Sequence, residues 1–472
     1  MENKKTLIIN VICLILYAVL TVICVLNHEV WRDEAQVWLV VRDLNFWGII
    51  DHVRIEGHPL MWYLMVFPFA KLGMSITSMQ IISWLFMTTA VGVFLWKSPF
   101  NVITKLSVIF SAGFLYWLPV LSRSYSLVPL FIFLAALFYP TQKQRPYLYA
   151  ISLALLSQTH VLMCAFCTVM GILFFYDNIF KNKINKKNYI APFLIIFLPI
   201  LFLCLYIFTC PHKNESVSQY IVLADKFFTK TYITYMINLF GVMGNIKGIF
   251  LSILLLASGI AIFIENKKLF CAFLVNIAYQ FFIYNYIWMS APEKTWAGIC
   301  VLLFCFWIIF LQNNLSKTKK IIYNLILILF FGLSINLGFQ LRNNDIKYDY
   351  SGSKNTANFI KKHINKNDII ITNRPIFTSS IAAYIKGYKF YYPITDTFYT
   401  YGYDSKADDY IPIDVQEKNL QKFKGKKIYY LFSSLAVPEE KVLYKSKDTT
   451  LIMTERFYIL DNLDGKQNNV KN

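Results

Sequence analysis

Runs of about 20 apolar residues recur along the first 339 positions of this 472-residue chain, and they restrict what it can fold into. A bilayer offers no water to unpaired N–H and C=O groups, so such runs form transmembrane helices whose backbone bonds are all internal. Spans are expected near 6–26, 76–96, 106–121, 125–140, 147–158, 160–176, 189–209, 249–264, 269–288, 297–312 and 321–339, about eleven in all. The composition agrees: 57% of residues are hydrophobic and 15% charged, against ~25% charged in soluble domains.

The formal net charge of +19 would point to nucleic acid in a soluble chain, but its distribution points elsewhere. Residues 1–339 hold 25 Lys and Arg and 12 Asp and Glu, and residues 340–472 hold 21 and 15. Lys4/Lys5, Lys97/Lys105, Lys143/Arg145, Lys181/Lys183/Lys186/Lys187, Lys267/Lys268 and Lys317/Lys319/Lys320 fall on one side of the expected spans. The positive-inside rule makes that side cytoplasmic, so the basic excess sets topology and implies no nucleic-acid partner. An odd number of spans then puts the C-terminal part outside. The parity requires residues 58–72, only 15 long, to be a juxtamembrane or re-entrant helix. Residues 233–247 are a further doubtful segment, and the first span reads as an uncleaved anchor.

Two domains are expected: a transmembrane catalytic domain over 1–339, with a first outer loop at 27–75 carrying juxtamembrane helices, and a soluble extracytoplasmic α/β domain over 340–472. In the latter, Ile369–Ile371 and Ile428–Phe432 read as strands and Thr356–His363 as a helix. The nine cysteines lie in or beside apolar segments, so Cys164 and Cys167 read as helix packing, not a redox or zinc pair. No glycine-rich phosphate loop is present.

Acidic residues are scarce in the membrane part, and half of them crowd into one place. Glu29, Asp33, Glu34, Asp43, Asp51 and Glu56 lie in the first outer loop, with His28, His52, His58, Arg32, Arg42 and Arg54. Trp31, Trp38, Phe46 and Trp47 suit helices lying in the membrane interface. Arg123, Tyr125, His160, Glu293 and Lys294 sit at the expected outer ends of spans, where a charge is cheap to keep and can face a cavity.

The segments Trp31-Arg32-Asp33-Glu34, Glu56-Gly57-His58-Pro59-Leu60-Met61-Trp62-Tyr63 and Arg123-Ser124-Tyr125 resemble, in order and spacing, elements of the GT-C membrane glycosyltransferases. That superfamily includes protein O-mannosyltransferases, aminoarabinose transferases and Rgt-like enzymes. Leu60 departs from the pattern, which has a second proline there. The resemblance implies a polytopic GT-C-like fold and an inverting glycosyl transfer, from a polyprenyl-phosphate sugar to a lipid, glycan or protein acceptor at the extracytoplasmic face.

It further implies roles. Asp33 is the candidate base for the acceptor hydroxyl, and Glu34, about 100° away on a helix, orients acceptor or sugar. Arg123 is the first candidate for the donor phosphate because a guanidinium fork matches it, with His58, Lys294, Arg54 and Tyr125 as further substrate-binding candidates. Glu56 is placed with them, and with His58 it could hold a divalent metal, although no metal is required. The aromatics from Tyr384 to Tyr403 suggest a carbohydrate surface in the C-terminal domain. Two other readings compete: an outer-leaflet oligosaccharide polymerase or ligase, whose members carry a larger mid-chain outer loop, and a lipid-linked glycan transporter, which would show internal repeats.

Overall fold

The computed structural model describes residues 4–181, 186–209, 234, 237, 239, 245–287, 290–312, 315–372, 375–393, 396–398, 400–401, 422–423, 425–433 and 442–461. All eleven expected spans coincide with helices, though not all are long enough to cross a membrane alone. Eight qualify by length and apolarity among the described residues: Lys4–Asn27 (α1), Thr77–Lys97, Ser124–Thr141, Val161–Phe180, Lys187–Ile207, Lys267–Tyr286, Pro292–Phe310 and Lys317–Lys347. A ninth would be the pair Val102–Ile109 and Gly113–Val120, bent by 53°. Pro146–Ser157 and Ser252–Glu265 are apolar but shorter. The protein is an integral membrane protein with a polytopic helical part and a small C-terminal sheet domain. Between the first two spans lie α2 (Arg32–Asp43), α3 (Phe46–Glu56) and α4 (Met61–Lys71). At 11 residues, α4 is about 16 Å long and too short to span. Most of 233–247 lies outside the described residues.

The chain divides into two compact units, each described by itself. The first comprises Met1–Val25, Ile50–Trp62 and Gln80–Arg342. Its core is aromatic: Phe94, Phe100, Phe133 and Trp307 pack with ring centroids 5.0–6.5 Å apart. Gly113, at the start of the second half of this pair, packs tightly against the helix Pro292–Phe310. A Cβ on Gly113 would fall inside the Trp296 indole, so only glycine allows so close an approach to that helix. Gly113–Trp117 is a π-helical turn, a frequent source of sharp kinks. Lys105, expected in a cytoplasmic loop, lies instead inside the first half of the pair; it is buried, and its ammonium donates to the Leu95 carbonyl at 2.6 Å. That bond lets a cation be buried where a loop position would have kept it in water.

The second unit comprises Leu26–Ile49, Tyr63–Met79 and Asn343–Asn472. Its sheet has the order β3-β2-β1-β4-β6-β5, with β1 Ile369–Thr372, β2 Lys389–Tyr392, β3 Thr397–Phe398, β4 Ile428–Ser433, β5 Val442–Lys445 and β6 Phe457–Leu460. β1 runs parallel to both neighbours, with Ile370 opposite Phe390 and Tyr429. All four β1 residues are buried, as expected for a central parallel strand with both faces covered. The helix Pro375–Tyr384 is the crossover from β1 to β2, and α2 packs on it. Ile369, Ile371, Tyr391, Phe423, Tyr430 and Leu460 form the core on one sheet face. Both expected strands and the expected helix, now Ser353–His363, are present.

Candidate active site

In the second unit the first turn of α2 is anchored on both sides of Asp33. On one side, Glu34 is fully buried, and its Oε2 accepts from the Trp31 backbone N–H at 3.3 Å and lies 3.0 Å from His28 Nε2. His28 Nδ1 lies 2.7 Å from Asp345 Oδ2, and the His28 ring packs on Tyr350 at 4.4 Å. Burial alone would favour the neutral imidazole, but Asp345 and Glu34 outweigh it and raise the His28 pKa to about 10. A buried imidazolium therefore bridges two carboxylates.

On the other side, the Arg32 backbone N–H donates to Glu455 Oε1 at 2.8 Å, and the Ser351 hydroxyl donates to Glu455 Oε2. Burial pushes Glu455 up to about 7, against the pull of Ser351 and Arg32. The segment entering α2 is tied down too: the Val30 N–H donates to the Tyr384 hydroxyl at 2.7 Å, and the Ser353 hydroxyl donates to the Val30 carbonyl at 3.0 Å. Between these anchors the Asp33 side chain keeps 39% exposure, with Oδ1 3.4 Å from Arg32 Nε.

In the first unit the structure brings together Arg123, Tyr125, His160 and His58. The break between Gly113–Val120 and Ser124–Thr141 places Arg123 just ahead of a 3₁₀ turn, Ser124–Leu127, with its guanidinium 5.8 Å from the Tyr125 ring centroid. His160 caps the turn beginning Val161–Met163: its Nδ1 accepts from the Leu162 N–H at 3.2 Å. The proton therefore belongs on Nε2, which donates to the Tyr125 hydroxyl at 3.2 Å. Burial, reinforced by His58, Lys294 and Arg123, keeps the His160 pKa well below its usual value, so the ring is neutral. The His58 ring centroid lies 5.7 Å from that of His160. This group offers cations and N–H donors, the chemistry that suits a phosphate.

The other candidates are engaged elsewhere. Arg54 donates through Nε to the Tyr206 carbonyl at 2.9 Å, and through Nη2 to the Thr209 hydroxyl at 2.8 Å and the Thr209 carbonyl. It thus caps the C-terminal end of helix Lys187–Phe208. Glu56 Oε1 lies 3.0 Å from His52 Nε2, one helical turn back. Among the described residues, no three His, Cys, Asp or Glu side chains are grouped to hold a metal ion. Cys164 and Cys167 are buried free thiols in a helix. Reading the sequence missed Asp345, Ser351 and Glu455, tail residues that fix α2, and took Tyr384 only as the start of an aromatic stretch. Asp345 gave one faint signal, as the first acid after the last apolar run.

The bent, polytopic helical part followed by a small sheet domain is the kind of membrane fold that the three motifs suggested. Two solved structures share that fold. One is ArnT from Cupriavidus metallidurans in the apo state, with TM-score 0.55 and 10% identity, covering 95% of this chain and 97% of that one. The other is ArnT from the same organism bound to undecaprenyl phosphate, with TM-score 0.52 and 9% identity, covering 95% and 98%. No protein-family model matches the sequence, and no curated protein matches it.

Proposed function

We propose that this protein is an inverting glycosyltransferase, which moves a sugar from a polyprenyl-phosphate donor to an acceptor at the extracytoplasmic face of the membrane. The observation that carries the reading is the contrast between two neighbouring carboxylates in a chain with the ArnT fold: Glu34 is sealed against His28, while Asp33 is held open between two anchors. A base must reach the acceptor hydroxyl, and Asp33 retains that access. Glu34 acts through position, fixing the turn that carries Asp33. This differs from the role expected of it, which was to orient acceptor or sugar, because its side chain is fully buried.

In the reaction the acceptor oxygen attacks the anomeric carbon from the face opposite the phosphate. The anomeric C–O bond breaks, its electron pair leaves on the polyprenyl phosphate, and the acceptor proton passes to Asp33. Arg123, His58 and Lys294 stabilise the departing phosphate. Tyr125 and neutral His160 hold the floor on which Arg123 rests. The undecaprenyl phosphate bound in one of the ArnT structures supports the same class of lipid carrier here. The basic loops on the other side of the spans support an outer location for the site.

The test is transfer of radiolabel from polyprenyl-phosphate hexoses in membranes containing the wild-type protein or its Asp33→Asn variant. Transfer should fall about 10²- to 10⁴-fold in the variant, at equal protein level and with an unchanged unfolding temperature. Equal transfer by both proteins would sink the base assignment, and failure of the wild type with every polyprenyl-phosphate hexose would sink the donor class.

A further inference from the structure

The helix that carries Asp33 in its first turn ends, in the same unit, at a cleft of about 420 Å³. Its walls come from the C-terminal end of α2, the turn from helix Pro375–Tyr384 into β2, and β3. Within that turn Gly387 has φ +88°, a backbone conformation that favours glycine and lets Lys386 and Tyr388 flank the opening.

Three features of the cleft point to one kind of ligand. First, Asp43 is planted there: the Arg42 fork donates to it at 2.7 and 2.9 Å, while Arg42 Nη1 donates to the Ala382 and Ile385 carbonyls at 2.9 and 3.3 Å. A carboxylate fixed in this way, with the Thr400 hydroxyl donating to it, is a rigid acceptor for sugar hydroxyls. Second, Phe398 lies on the cleft wall with 48% exposure, its ring supported by Tyr391 at 5.2 Å and Phe423 at 5.9 Å. An exposed, rigidly backed ring suits the C–H face of a pyranose, and Tyr388 and Tyr401 add aromatic wall. Third, the cleft carries excess positive charge. Lys386 and Lys389 form no ion pair with any described residue, and both are exposed.

We propose that this cleft binds an anionic glycan, a saccharide carrying phosphate or carboxylate. The sugar face rests on Phe398, its hydroxyls donate to Asp43, and its charge is met by Lys386 and Lys389. Asp33 and Asp43 stand at the two ends of α2, about 15 Å apart at 1.5 Å per residue. A glycan a few rings long, held in the cleft, therefore reaches along the helix toward the candidate base. That makes the cleft an acceptor subsite. The subsite role rests on the transferase reading above; the binding does not.

The experiment is calorimetric titration of the detergent-purified full chain at 150 mM salt with four probes: a 6-phosphorylated maltooligosaccharide, an oligogalacturonate, neutral maltooligosaccharide and inorganic phosphate. One or both anionic glycans should bind saturably, at least tenfold tighter than the neutral one, and the better of the two identifies the charged group. A Lys386→Gln/Lys389→Gln variant should lose that preference, and Phe398→Ala should weaken every glycan. Equal affinity for neutral and charged glycans, inorganic phosphate binding as tightly as the glycans, no binding, or binding untouched by either variant would each overturn the proposal. The Asp33→Asn protein should bind like wild type. Normal binding with no transfer activity in any form would overturn the transferase reading and leave the cleft assignment standing.

Discussion

His28 Nδ1 lies 2.7 Å from Asp345 Oδ2, and neither side chain is exposed to solvent. With Glu34 on the other ring nitrogen, the imidazolium is what lets two carboxylates share one buried place. His28→Gln should cost about 3–5 kcal/mol, because it leaves buried charge without a counter-ion. Asp345→Asn keeps one ion pair and should cost less, about 1–3 kcal/mol. Thermal unfolding of the two purified variants measures the order; the reverse order would mean that the ring is not charged.

Stability should fall as pH rises. The His28 pKa is raised from 6.5 to about 10, so its contribution is complete below about 6.5 and is lost as pH climbs through about 10. Glu455 and Glu29 are raised from 4.5 to about 7 and about 8, chiefly by burial, so the folded protein keeps protons that the unfolded chain gives up above 4.5. All three shifts share a sign, the native state binding more protons, and together they outweigh His160, whose lowered pKa acts the other way only below about 6.5, so stability declines with pH. Unfolding temperatures at pH 5, 7 and 9 should decrease in that order, and Glu455→Gln should flatten the first interval. A rising profile would contradict the protonation states assigned to this unit.

Arg123→Lys keeps the charge but loses the planar fork. If the donor phosphate sits on Arg123, the apparent KM for donor should rise about tenfold or more, with the unfolding temperature nearly unchanged. Arg123→Ala should be worse. Donor titration in the transfer assay reads both, and an unchanged KM in Arg123→Ala would remove this residue from the phosphate site.

Gly113→Ala would drive a methyl group into the Trp296 indole. A loss of about 1–3 kcal/mol is expected, the cost of overpacking a tight core. Alanine is the better helix former, so a propensity argument alone predicts the opposite sign. Fluorescence-detected thermal unfolding in detergent decides between them.

The helical part was legible because bilayer crossing demands long apolar runs: each expected segment coincides with a helix. Lengths were less so. The need for glycine at 113 comes from an indole at residue 296, a contact that local pattern does not encode. Asp33, Glu34, His58 and Arg123 stood out because charge is rare in such a chain. What separates Asp33 from Glu34 did not stand out, since it depends on partners hundreds of positions away. Tyr388, Phe398 and Tyr401 now line a cleft together with the largely buried Phe390, whereas Tyr391 and Tyr392 are buried in strand β2, and Tyr399 and Tyr403 lie outside the described residues. Aromatic density alone did not sort these from one another.

The unit that holds Asp33 is assembled from stretches near both ends of the chain. On the ribosome, Asp33 emerges well before Asp345, Ser351 and Glu455. Throughout that interval α2 lacks the partners that fix its first turn. A message cut short anywhere before the codon for Asp345 would still yield most of the apolar helices, but with His28 and Glu34 facing no second carboxylate. The first turn of α2 is therefore fixed only once the stretch from Asn343 onward has been made.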